Sequence, residues 1–187
     1  MIPGTVVLLG SPLLAPSSWG ALPEALERAD PSVDVLDIPV ADDDRPPFGQ
    51  RYLTSVVLAA TQTRPRPPLA LVAHSGAGPL LPGVGRGLRD AGHRVGGYVF
   101  VDAGLPGLGR PNRLDLLRIE SAEALAAVSN ALDASGRFPD WRLPGVVTRP
   151  RDRAFFEEPL PTSDDWPDAP CGYLQTSSAY EALARQA

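Results

Sequence analysis

The chain has 187 residues, 43% of them hydrophobic and 21% charged, with a net charge of −5. This composition fits one soluble globular domain with room for a real core. All 17 basic residues are arginines, outnumbered by 22 acidic ones, so there is no electrostatic footprint for nucleic acid or an anionic membrane surface. The single cysteine, Cys171, excludes an internal disulfide. No apolar run approaches the ~20 residues of a membrane span, the N-terminus lacks the basic n-region of a signal peptide, and a cytoplasmic location is expected.

In chain order, Thr5-Val-Val-Leu-Leu9 is a continuous apolar run closed by Gly10, the pattern of a strand buried on both faces. Ser17 to Arg28 reads as a helix with Trp19, Leu22, Ala25 and Leu26 on one side, and Val33 to Ile38 as a second strand stopped by Pro39. Tyr52 to Thr63 places Leu53, Val56, Val57 and Ala60 at helical spacing. Leu69 to His74 is a third strand, Pro79 to Ala91 a helix ended by Gly92, and Tyr98 to Val101 a fourth strand. Strands alternating with helices at this spacing predict a mostly parallel α/β sheet with helices on both faces. Residues 105 to 165 break the rhythm. One helix, Ser121 to Ala134, stands there among proline-rich stretches such as Leu143-Pro-Gly and Arg149-Pro-Arg. This segment reads as a cap-like insertion over the C-terminal edge of the sheet, where open α/β folds bind ligands. Cys171 to Thr176 is a fifth strand, followed by a helix from Ser178 to the chain end.

The stretch Leu69-Ala-Leu-Val-Ala-His-Ser-Gly-Ala-Gly78 carries the most chemical information. A strand ending in a sharp turn that opens a helix exposes the serine oxygen above the sheet, beside the free N–H groups of the new helix. Such a turn crowds its own backbone, and Ala73, Gly76, Ala77 and Gly78 keep the flanks small. The pattern is A-x-S-x-A where G-x-S-x-G is usual. The chain has two histidines, His74 and His93. The helix leaving the turn carries His93 roughly 20 Å from Ser75. His74 is a sequence neighbour whose side chain leaves the strand on the opposite face. Gly83-Val-Gly-Arg-Gly87 has the look of a dinucleotide fingerprint, but it lies within a helix pattern instead of ending a strand, and no cofactor or metal is expected. Glu157 and Glu158, beside the aromatic pair Phe155–Phe156, read as solvated acids.

Taken together, the strand and loop from Val6 to Trp19, the turn at Ala73 to Gly78, the strand ending at Asp102, the proline-rich insertion and the late strand at Cys171 resemble the α/β-hydrolase fold, in the form of its small bacterial members. The resemblance implies that Ser75 is the nucleophile and Gly76 one oxyanion donor. It places the other donor in Gly10-Ser-Pro-Leu-Leu14, where Pro12 has no N–H and Leu13 is the expected one. No carboxylate follows the late strand before Glu181, so Asp102 takes the alternative acid position. The fold's histidine follows one more strand, and the sequence ends at Ala187, in the helix that would lead to it. The resemblance thus implies a hydrolase-like domain lacking its C-terminal strand and catalytic histidine.

The expected activity is enzymatic, on an ester, thioester or similar carbonyl group of a hydrophobic small molecule. The expected cleft is apolar, lined by Leu14, Trp19, Leu105, Phe155 and Phe156. A lyase, isomerase or cyclase on the same scaffold, or a binding relic, are the alternatives that an incomplete triad leaves open. The uncovered strand at Cys171 is a template for pairing, so either a homodimer through that edge or marginal stability is expected.

Overall fold

The structure, a computed structural model, describes residues 2–15, 19–39, 44–139 and 145–187. Its elements run β1 (Thr5–Leu9), α1 (Leu22–Ala29), β2 (Asp34–Ile38), α2 (Phe48–Thr63), β3 (Leu69–His74), a 3-10 turn (Ser75–Leu80), α3 (Leu81–Asp90) and β4 (Val95–Val101). Then come α4 (Arg113–Glu120), α5 (Ala122–Ser135), β5 (Arg137–Phe138), β6 (Arg151–Asp152), α6 (Arg153–Glu157) and β7 (Cys171–Leu174). The short 3-10 turn Ser178–Tyr180 and α7 (Glu181–Ala184) follow. Five strands form one parallel sheet in the order β2-β1-β3-β4-β7, with β3 in the middle. The alternating pattern read from the sequence is therefore the architecture found.

Packing follows the period-2 alternation of β3 and β4. Leu71, Ala73, Tyr98 and Phe100 point to one face, where α2 and α3 bury them with Leu53, Val56, Ala60, Leu80, Val84 and Leu88. Ala70, Val72, Val99 and Val101, on the other face, are half-buried. A second apolar cluster of Phe48, Val128, Leu132, Phe155 and Phe156 joins the start of α2 to α5 and α6.

Several element boundaries differ from the sequence reading, each for a visible reason. The first helix begins at Leu22, with Pro23 in its opening turn, and none of its residues is buried; the expected start at Ser17 lies outside the described residues, as do Leu143 and Pro144. Helix α2 begins at Phe48, a turn before Tyr52, because the Glu158 carboxylate accepts the Phe48 and Gly49 N–H groups at 2.7 Å each. Glu158 is thus a helix clamp and not a solvated acid. The expected helix from Pro79 is a 3-10 turn up to Leu80 and α-helical only from Leu81. Helix α4 was not expected at all; Asn112 and Asp115 form a reciprocal capping box at its start. Strand β7 ends at Leu174, because the next N–H groups turn aside to Asp102.

Candidate active site

Ser75 directly follows β3, at the C-terminal end of the central strand, with φ +54°. A non-glycine residue there is strained by about 1–3 kcal/mol and persists only where its surroundings over-determine it. They do so here. The Gly104 N–H donates to the Ser75 carbonyl at 3.3 Å, tying the loop after β4 to the turn. A Cβ on Gly78 would lie 2.1 Å from the Gly104 carbonyl oxygen, and one on Gly76 3.2 Å from Ser11 Oγ. Glycine at 78 is therefore demanded by close backbone approach, whereas a side chain at 76 would press on Ser11 Oγ. Burial raises the Tyr180 pKa, and the neighbouring Ser75 side chain opposes the shift.

The loop after β1 meets the turn at Gly76. All four of its carbonyls from Gly10 to Leu13 are held. Tyr52 Oη donates to Gly10 O at 2.8 Å, the Leu14 N–H to Ser11 O at 3.1 Å, Arg151 Nε and Nη2 to Pro12 O at 3.1 and 2.9 Å, and the Arg149 N–H to Leu13 O at 2.7 Å. The Leu13 N–H points at Ser11 Oγ, 3.3 Å away, the same oxygen that lies against Gly76. Leu14 is half-buried and bridges Thr148.

Asp102 is buried at the end of β4 with φ +40°. It accepts the Thr176 N–H at 2.8 Å, the Ser177 N–H at 3.3 Å and the Thr176 hydroxyl. Desolvation pushes its pKa up, but these bonds and the nearby His74 outweigh it and hold the carboxyl below its ordinary value. Burial lowers the His74 pKa and so favours the neutral imidazole, while the Asp102 carboxylate opposes the shift. The His74 ring packs 5.6 Å from that of Trp19, whose indole nitrogen is buried with no hydrogen-bond partner among the described residues.

Leu105 is half-buried and its N–H donates to Glu120 Oε1 at 3.2 Å; burial raises the Glu120 pKa and this bond opposes it. Phe155 and Phe156, by contrast, are 1% and 2% exposed within the second apolar cluster, with the Arg113 guanidinium 3.8 Å over the Phe155 ring. No described contact joins them to Ser75. The structure therefore brings Ser75, Gly76, Leu13, Asp102 and Trp19 to the C-terminal edge of the sheet and keeps the aromatic pair in a core. Tyr180, Glu120 and Arg151 were not singled out for this site. Only Tyr180 left a trace in the sequence, as the polar aromatic following the late strand where an acid was sought. A separate groove of about 260 Å³ lies at the N-terminal ends of β3, β4 and β7, the opposite end of the strands from Ser75.

No protein-family model matches the chain, and no curated protein matches it. Solved structures do. An extracellular α/β-hydrolase from a Paenibacillus species, described as sharing structural and functional homology with tobacco salicylic acid binding protein 2, superposes with a TM-score of 0.69. It is 19% identical, over 92% of this chain and 77% of that one. Tomato methylketone synthase I, solved with 2-tridecanone, gives 0.63 at 10% identity, over 100% and 84%. A pyrethroid hydrolase from Sphingobium faniae JZ-2 gives 0.58 at 14%, over 97% and 94%. The chain has the α/β-hydrolase fold.

Proposed function

We propose that this α/β-hydrolase-fold chain is an enzyme acting on an ester, thioester or similar carbonyl group of a hydrophobic small molecule, with Ser75 as nucleophile. The observation that carries this reading is the strained serine at the end of the central strand, φ +54°, its turn crowded down to glycine at position 78. Ser75 Oγ attacks the carbonyl carbon while its proton passes to a base. The oxyanion accepts from the Gly76 and Leu13 N–H groups, the Leu13 N–H exchanging Ser11 Oγ for the substrate oxygen. Collapse expels the alcohol or thiol, which takes up the proton, and water then releases the acid by the same route. Acyl transfer of this kind needs no metal or cofactor.

The base is the open part. His93 follows α3, far from Ser75, and His74 is packed against Trp19 with a lowered pKa. In this reading an unconventional base, or a histidine from outside these 187 residues, takes the proton, and Asp102 is its acid partner. The residues from Leu105 to about 165 act as the cap, and Leu14, Trp19 and Leu105 line the cleft, where the open indole N–H suits a carbonyl or hydroxyl on the ligand. The pyrethroid hydrolase and the 2-tridecanone complex among the similar structures support an apolar substrate. The edge of β7, unpaired among the described residues, suits a second copy, an association that sedimentation at rising concentration reads directly.

One observation favours a second reading. Tyr180 lies close enough to Ser75 for each to act on the other, an arrangement that suits a lyase, isomerase or cyclase whose serine orients substrate without being acylated. Turnover of p-nitrophenyl butyrate separates the two. Acyl transfer predicts slow hydrolysis that Ser75→Ala lowers by about 100-fold or more. Hydrolysis unchanged in Ser75→Ala removes Ser75 as nucleophile.

A further inference from the structure

Arg151 is 2% exposed, yet it is charged, and a buried charge is costly unless well held. Its partners are specific. Nη1 donates to Asp44 Oδ1 at 2.7 Å, the guanidinium carbon sits 5.2 Å over the Phe155 ring, and Nε and Nη2 both donate to the Pro12 carbonyl oxygen, at 3.1 and 2.9 Å. That carbonyl belongs to the same peptide unit as the Leu13 N–H. The unit is planar, so fixing its oxygen with two donors fixes the direction of its N–H. Hydrogen bonds accepted by the oxygen also polarise the unit and strengthen the N–H as a donor.

We infer that Arg151 is the positioning residue of the oxyanion hole: it grips the Pro12 carbonyl so that the Leu13 N–H is aimed and strengthened for the negative charge that develops on substrate. This rests on the reading of Ser75 as nucleophile. The sequence around the peptide suits such a grip. Pro12 has a ring-fixed φ and no N–H of its own to compete, and the Arg149 N–H and the Thr148 bridge hold the other side of the loop. The guanidinium lies one peptide from the oxyanion, so its charge acts in the same direction without touching substrate.

The test compares wild type with Arg151→Lys, Arg151→Met and Asp44→Asn. The Leu13 amide is followed by 15N–1H NMR, and the rate of Ser75 modification by a fluorophosphonate is measured. Lysine keeps the charge but loses the two-pronged grip. Arg151→Lys should move the Leu13 amide proton upfield and slow modification about 10-fold, and Arg151→Met about 100-fold, approaching the loss of one oxyanion donor. The KM for p-nitrophenyl butyrate should stay within about twofold, because the effect belongs to the transition state. Asp44→Asn, which leaves both Pro12 contacts, should modify at the wild-type rate, and it serves along with Arg151→Lys if the methionine variant does not fold. A Leu13 amide unmoved in folded Arg151→Lys overturns the grip, whether or not Ser75 reacts. An amide that moves while modification keeps the wild-type rate overturns its link to the oxyanion. A wild-type protein inert to the probe even with imidazole added as the external base, with the Leu13 amide responding to Arg151→Lys, overturns the nucleophile reading and upholds the grip.

Discussion

Ser75 holds a backbone conformation that costs it energy, and the cost is measurable apart from any activity. At φ +54° a glycine is unstrained, whereas an alanine carries the same penalty as serine. Ser75→Gly should therefore be more stable than Ser75→Ala by about 1 kcal/mol in urea denaturation. Equal stability would mean that the turn is relaxed. Asp102 acts with the opposite sign, stabilising through its charge. Its folded pKa lies below the ordinary value, so its contribution is present above the unfolded pKa of about 3.9 and is lost as pH falls through the folded one. Asp102→Asn should lose stability at pH 7 and show a shallower acid limb below about pH 4, read as urea midpoints across pH. An acid limb as steep as that of wild type would show that the carboxylate does not hold Thr176 and Ser177. Ser75 and its glycine neighbours were legible in the sequence because a strand, a small-residue turn and a helix are local signals. Tyr180, Glu120 and Arg151 were not, since each reaches the site through contacts made only when distant segments pack.

The same division separates the elements read correctly from those misplaced. The sequence marks strand β3 to the residue, its apolar run bounded by Pro68 before and the serine turn after. Helix α2 was started a turn late, because the group that caps it is Glu158, 110 residues away in sequence. No local pattern could supply that. Helix α4 is the contrary case: Asn112 and Asp115 carry a capping box in plain view, masked by a weak apolar stripe and by Pro111 just before it. The Glu158 clamp is a firm prediction at this scale. Glu158→Ala leaves two N–H groups at the start of α2 without their charged acceptor and should cost about 2 kcal/mol, while Glu158→Gln, which keeps one acceptor, should cost about half of that. Both values come from urea denaturation at neutral pH. A cost below about 0.5 kcal/mol for Glu158→Ala would mean that water serves these groups as well.

Across the whole molecule, the parallel sheet gathers the chemistry at one end. The strand termini of β1, β3 and β4 bring the Gly10–Leu14 loop, Ser75 and Asp102 together, and the segment between β4 and β7 returns through residues 147–151 to brace that loop. Nothing in the individual segments specifies this meeting; it follows from parallel strands all delivering their C-terminal ends to the same edge. Ser75 is the reactive group proposed at that edge. Incubation of the 187-residue protein with a fluorophosphonate, followed by intact mass and peptide mapping, tests it most directly. With imidazole added as the external base, the prediction is a single phosphonyl adduct, located on Ser75 and absent from Ser75→Ala. No adduct at Ser75 after prolonged exposure, or an equal adduct in the alanine variant, would contradict it.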